Sequence, residues 1–156
     1  MLMSSLNKFR QLTPGHRRLL FQAFLLLPII HVALFIFGYY RLRGIIEKLS
    51  PWKCIDLHDP ESDRLQRARD IARLVTIAAR RGWYKATCLR RSILVWWFLR
   101  KENIPSEICF GVRMVNRTLE AHAWVEYQGV VINDSASVHE NYQILHDVFP
   151  STKSGL

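Results

Sequence analysis

The sequence predicts an α+β chain in which helices pack on a small antiparallel sheet, preceded by apolar N-terminal helices. Three observations carry this. Residues 19–40 form one long apolar run, apolar residues recur at helical spacing between residues 59 and 102, and from Ser106 onward the period changes to alternation.

Residues 1–18 are polar and basic and read as a short arm or helix. The run at 19–40 (LLFQAFLLLPIIHVALFIFGYY) is the most apolar stretch. At about 1.5 Å per helical residue it just matches a hydrocarbon core about 30 Å thick. Pro28 and His31 interrupt its middle, and Gly38 lowers helix propensity near its end. A buried or partner-facing pair of helices, broken near Pro28, is therefore favoured over a membrane span. Basic residues flank both ends, so their placement gives no orientation.

A helix follows over 59–81. Asp59 can cap it, Pro60 suits the first position, and Glu61 and Asp63 favour the positive end of the dipole. Leu65, Ala68, Ile71, Ala72, Val75 and Ala78 make its apolar face, and Gly82 ends it. The next helix runs from Cys88 to Glu102 and is apolar nearly all round from Ile93 to Leu99, as a central helix should be. Asn103 and Pro105 stop it. Segments 107–115, 120–127 and 130–134 alternate as three strands, with turns at 116–118 and Gly129.

The chain has 156 residues, of which 49% are apolar, so it can bury a core and is not a disordered segment. Its net charge of +9 is unevenly spread: eight basic residues and one acid (Glu47) fall within 1–53, fourteen and twelve within 54–156. A basic excess beside an apolar segment suits an anionic peptide, protein or membrane surface, although a solvated basic face is as good a reading. No nucleic-acid motif accompanies it. Cys54, Cys88 and Cys109 are an odd set, and the N-terminus does not read as a cleavable signal, which together point to a reducing, cytoplasmic setting.

The candidate chemistry begins at Cys88. A thiol is a nucleophile only as thiolate, and a helix N-terminus favours that anion; the same N–H groups can stabilise an oxyanion. A free cysteine is otherwise most often a small buried hydrophobe. Cys109 lies mid-strand, and Cys54 with His58 is a weak metal signal, so neither competes and no metal site is expected.

His122 stands in Ala-His-Ala-Trp, sharing a strand face with Trp124 and Glu126, and a strand histidine is a base only if something gives it a proton and something orients it. Asn133 and Asp134 are the candidates for orientation. A two-residue hairpin, Gln128-Gly129, sets Trp124 opposite Asn133 and His122 opposite Ser135. A three-residue loop with Gly129 last sets His122 opposite Asp134, and the commonness of that G1-bulge form favours it. His16, His31, His58, His139 and His146 read as surface or structural.

The runs Cys88-Leu89-Arg90-Arg91-Ser92, Trp96 to Arg100, Ile104 to Glu107, Gly111-Val112-Arg113, Ala121 to Glu126 and Asn133-Asp134 closely resemble the lasso-peptide leader peptidases, bacterial transglutaminase-like maturation proteases. The match covers about residues 60–149. The resemblance implies a transglutaminase/papain-like core at 54–156 behind a basic, apolar helical region at 1–53. It also implies a Cys88–His122–Asp134 triad that removes the leader from a lasso precursor peptide before macrolactam cyclisation. Its implied partners are a separate leader-recognition protein and an asparagine-synthetase-like cyclase. No cofactor is expected: no phosphate-binding loop is present, so ATP is not assigned, although some family members are said to be stimulated by it. Two other activities fit the same residues, a transglutaminase-like acyl transfer and a non-catalytic scaffold that positions precursor. Trp124 and residues 82–87 are candidates for the substrate groove, with core packing the plainer role for Trp124.

Overall fold

The computed structural model describes residues 13–51, 60–81 and 86–145. Cys54, His58, the Asp59 cap, Gly82 and His146 lie outside the described residues.

Helix α1 spans Pro14–Leu49, with Thr13 accepting the His16 N–H at its start and Pro14 in the first position. Pro28 stays inside the helix, and the break falls at Gly38, where φ is +71°. The expected break near Pro28 is thus displaced. Proline removes one hydrogen bond and bends the axis, whereas a positive φ ends the right-handed path outright, and glycine alone takes it without strain. Leu20, Ala23, Leu27 and Ile30 form the stripe that α1 buries.

Helix α2 spans Glu61–Arg81 and buries Ala68, Ile71, Ala72, Val75 and Ala78 of the anticipated face, with Leu65 only partly buried and Leu74 and Ala79 buried in addition. Acids in its first turn and Arg80 and Arg81 in its last complement the macrodipole.

Helix α3, Cys88–Lys101, is the centre of the molecule: Ile93 to Trp96, Phe98 and Leu99 are all buried. It ends in a Schellman motif. Asn103 has φ +54°, its N–H reaches Arg100 O at 3.1 Å, and the Ile104 N–H reaches Leu99 O at 2.9 Å. Ile104 and Leu99 are both fully buried, which supplies the apolar contact the motif favours. The end of α1 is fastened to α3 by two polar contacts. Arg100 Nε donates to Ser50 O at 2.7 Å and Trp97 Nε1 to Ser50 Oγ at 3.0 Å.

Strands β1 (Glu107–Val115), β2 (Thr118–Tyr127), β3 (Val130–Val131) and β4 (Gln143–Ile144) form one antiparallel sheet in the order β3-β2-β1-β4. Helix α4, Val138–Asn141, precedes β4. The β1–β2 hairpin turns at Asn116 and Arg117, with φ of +48° and +65°. The core joins α1, α2 and α3 to the sheet through Ile108, Val125 and Tyr127, so α3 lies between two helices and the sheet. The α+β arrangement read from the sequence is the one found.

The register of the second hairpin differs from the favoured expectation. Tyr127 pairs with Val130 and Glu126 with Val131, so the loop is Gln128-Gly129. Both residues have positive φ, +49° and +77°, as a type I′ turn requires. That turn follows the right-handed twist of the strands with no extra residue, and Gln128 accepts the left-handed conformation. The expected third strand over 130–134 is also cut to two residues.

Candidate active site

The short third strand determines the site. Beyond Val131, the Ile132 N–H still reaches Val125 O at 2.9 Å, and there the backbone ladder stops. Side chains complete it. Asn133 Oδ1 accepts the Val125 N–H at 2.8 Å, and Asn133 Nδ2 donates to Ser92 Oγ at 3.0 Å. Ser92 Oγ in turn donates to Ala123 O at 3.0 Å. Ser92 is fully buried, so this hydroxyl satisfies groups that would otherwise be orphaned away from water.

The result is that α3 meets β2 along its open edge, beside His122. Cys88 is the first residue of α3 and stands one turn before Ser92, four residues away and therefore on the same face of the helix. It is half-buried and has a free thiol. Thr87 at the N-cap makes no side-chain hydrogen bond to the first turn, so it does not occupy the N–H groups around the thiol.

His122 pairs across the sheet with Gly111. Its ring lies against Trp124, with centroids 6.2 Å apart, and stacks on Tyr142 at 4.9 Å and 22°. Gly111 makes that stacking possible, because a Cβ there would come within 2.8 Å of Tyr142 Cβ and 2.9 Å of the Trp124 ring. Arg113 places its guanidinium over the outer side of the assembly, 4.7 Å from the Tyr142 ring centre.

His122 Nε2 lies 2.7 Å from Asp134 Oδ2. The other carboxylate oxygen, Oδ1, accepts the Ser135 N–H at 2.8 Å, which fixes the carboxylate orientation. The pairing does not come from the strand register that was expected to produce it. A two-residue loop sets His122 opposite Ser135, but the chain leaves the ladder after Ile132, and the bend brings Asp134 back to the imidazole. With Nε2 engaged, Nδ1 is the ring nitrogen left for a second partner.

The structure therefore brings His122 and Asp134 together and links the Cys88 end of α3 to the same strand through Ser92. Asn133, weighed as an orienting group, serves the strand edge instead. Ser92 and Tyr142 were not identified as site residues from the sequence. The signal for Ser92 was there: it is the one small hydroxyl on the core side of an apolar helix, four residues from the cysteine. Tyr142 carries no comparable signal.

Cys109 sits in a contrasting environment. Burial pushes its thiol pKa up, and the neighbouring Glu126 and Glu107 carboxylates push it further. Such a thiol stays protonated and is a poor nucleophile. Glu107, Cys109 and Glu126 hold their ligand atoms within 4.8 Å of one another, a grouping the sequence reading did not anticipate. A metal there needs the thiolate, and both the burial and the two carboxylates oppose it until the ion is bound. Glu126 Oε1 also accepts Trp124 Nε1–H and lies 3.3 Å from His139 Nε2, so that oxygen already serves this face of the sheet. Trp124 is fully buried, which settles its role as packing.

Residues 35–147 match the transglutaminase-like superfamily, a span of well over half the chain. The chain is also 29% identical over 65 residues to the microcin J25-processing protein McjB of Escherichia coli. That match takes in 42% of this chain and 30% of McjB, so it spans less than a third of the relative's length. No solved structure matches the chain. The chain belongs to the transglutaminase-like superfamily.

Proposed function

We propose that this protein is a cysteine peptidase that removes the leader from a lasso-peptide precursor, with Cys88 as nucleophile, His122 as base and Asp134 as its orienting partner. The observation that carries the reading is the 2.7 Å contact between His122 Nε2 and Asp134 on the strand whose edge receives the Cys88 helix through Ser92. Similarity to a microcin-processing protein over part of the chain supports the substrate class.

In this mechanism Nδ1 of His122 takes the Cys88 proton, and the sulfur attacks the carbonyl at the leader–core junction. N–H groups at the start of α3 stabilise the oxyanion. The imidazolium, steadied by Asp134, then protonates the departing core amine. Water, deprotonated by the same imidazole, hydrolyses the thioester and releases the leader. A leader-recognition protein delivers the precursor, and a cyclase closes the ring on the freed amine.

The test is incubation of the precursor and its leader-recognition protein with wild-type chain or Cys88→Ala, followed by mass spectrometry. Free leader and core from the wild type, and intact precursor from the variant, are the expected products. Added hydroxylamine separates the competing acyl-transfer reading. A hydroxamate found only as a minor trap beside the free acid fits a peptidase, whereas stable amide exchange with no free acid means a transferase. Undiminished cleavage by Cys88→Ala refutes the nucleophile.

A further inference from the structure

Helix α1 is apolar on two sides, and the fold uses one. The inner stripe, Leu20, Ala23, Leu27 and Ile30, is buried in the core shared with α2 and α3. The outer side carries Phe21, Leu25, Ile29, Val32, Phe35 and Ile36, between 50% and 88% exposed among the described residues. These recur at intervals of one to four residues and line one face for four turns. A helix apolar all round demands a second apolar environment.

The charges around that face indicate which environment. Arg17 and Arg18 are exposed at one end of the run and Arg41 at the other, and no acid occurs between Thr13 and Ile46. A cavity of about 190 Å³ between α1 and α2, lined by Leu20, Phe21, Phe24, Ile77 and Ala78, carries Arg81 at its side. An apolar slot beside a guanidinium suits an acyl chain under an anionic headgroup. We infer that α1 docks the protein on an anionic lipid surface, lying in the plane of the interface with its outer face among the acyl chains. It does not cross the bilayer, because its inner stripe is committed to a domain whose other helices carry charged outer faces.

The experiment sediments the full chain with vesicles of phosphatidylcholine alone, or of phosphatidylcholine with a quarter phosphatidylglycerol. Pelleting with the anionic vesicles, weakened by salt, is expected, with at least tenfold less on the neutral ones. The variant Ile29→Glu/Phe35→Glu changes only exposed positions and should reduce binding at least tenfold with an unchanged thermal melt. The wild-type comparison of the two vesicles stands without any variant. Equal recovery in the supernatant with both vesicles overturns the inference. So does a stable dimer in solution that Phe35→Glu dissolves, which would make a second copy the occupant.

Discussion

Asp134 engages His122 through Nε2 at 2.7 Å, and this leaves the imidazole a single nitrogen, Nδ1, with which to meet a thiol. The carboxylate holds both the ring's tautomer and its angle, the two properties a general base needs. Asp134→Ala should lower the rate of leader removal by about 10²–10⁴-fold, and Cys88→Ala and His122→Ala should abolish it. Single-turnover cleavage of the precursor, read by mass, checks this. An Asp134→Ala enzyme as fast as wild type would show that packing on Tyr142 suffices to aim the ring.

The two described thiols should differ in reactivity. Cys88 lies at a helix N-terminus and is half-buried, whereas the Cys109 pKa is raised by burial and by Glu126 and Glu107. Iodoacetamide at neutral pH should label Cys88 first, and peptide mapping identifies the site. Preferential labelling of Cys109 would contradict the assignment.

Cys109 also predicts a pH dependence. Its folded pKa is raised above the ordinary value of about 9.0, so the folded state holds the proton more tightly than the unfolded chain does. That contribution is complete below the ordinary pKa and fades as pH rises above it, because the unfolded thiol ionises and the folded one does not. Thermal melts at pH 8 and pH 10.5 should fall further for wild type than for Cys109→Ala. Equal falls would mean that Cys109 titrates normally in the folded state.

Gly111→Ala should be destabilising without any change in backbone conformation. Its Cβ would press on Tyr142 Cβ and on the Trp124 ring, the first of which is close to the backbone and cannot rotate away. Overpacking of this kind costs about 1–3 kcal/mol. A lower melting temperature is the expected result, accompanied by slower cleavage because Tyr142 and Gly111 both border His122.

Ser92→Ala should cost about 1–3 kcal/mol, since it leaves Ala123 O and Asn133 Nδ2 without a buried partner. Asn133→Ala removes the other end of the same chain of bonds. The double variant should therefore lose less stability than the two single losses combined, and denaturant titrations of the three proteins measure the coupling. Strict additivity would show that the two side chains act separately.

Much of this architecture was legible from residue pattern. The limits of α3 follow from Cys88, Asn103 and Pro105, and β1 matches its alternating stretch from Glu107 to Val115. The helix-start cysteine, strand histidine and following acid were visible as residues, but their meeting was only partly so. Alternation reports faces, not loop length, and the preference for a three-residue hairpin was overridden by Gln128 adopting positive φ. The contact with Asp134 arises from a bend after Ile132, which leaves no period to read. Helix α4 and β4 are too short for periodicity, so Tyr142 is not singled out by the sequence and His139 reads only as surface or structural. At Gly38 and Pro28 the stronger propensity penalty pointed to the wrong one of two breaks.

The two-residue length of β3 has a further implication. A full-length neighbour would have saturated the β2 edge with main-chain partners, which are insensitive to residue identity. Here the edge beside the imidazole is finished by a serine and an asparagine, so the spacing between helix and strand is encoded in side chains. Substitutions at those two positions therefore act on the distance between α3 and β2 while the strand pairing of the sheet stays intact.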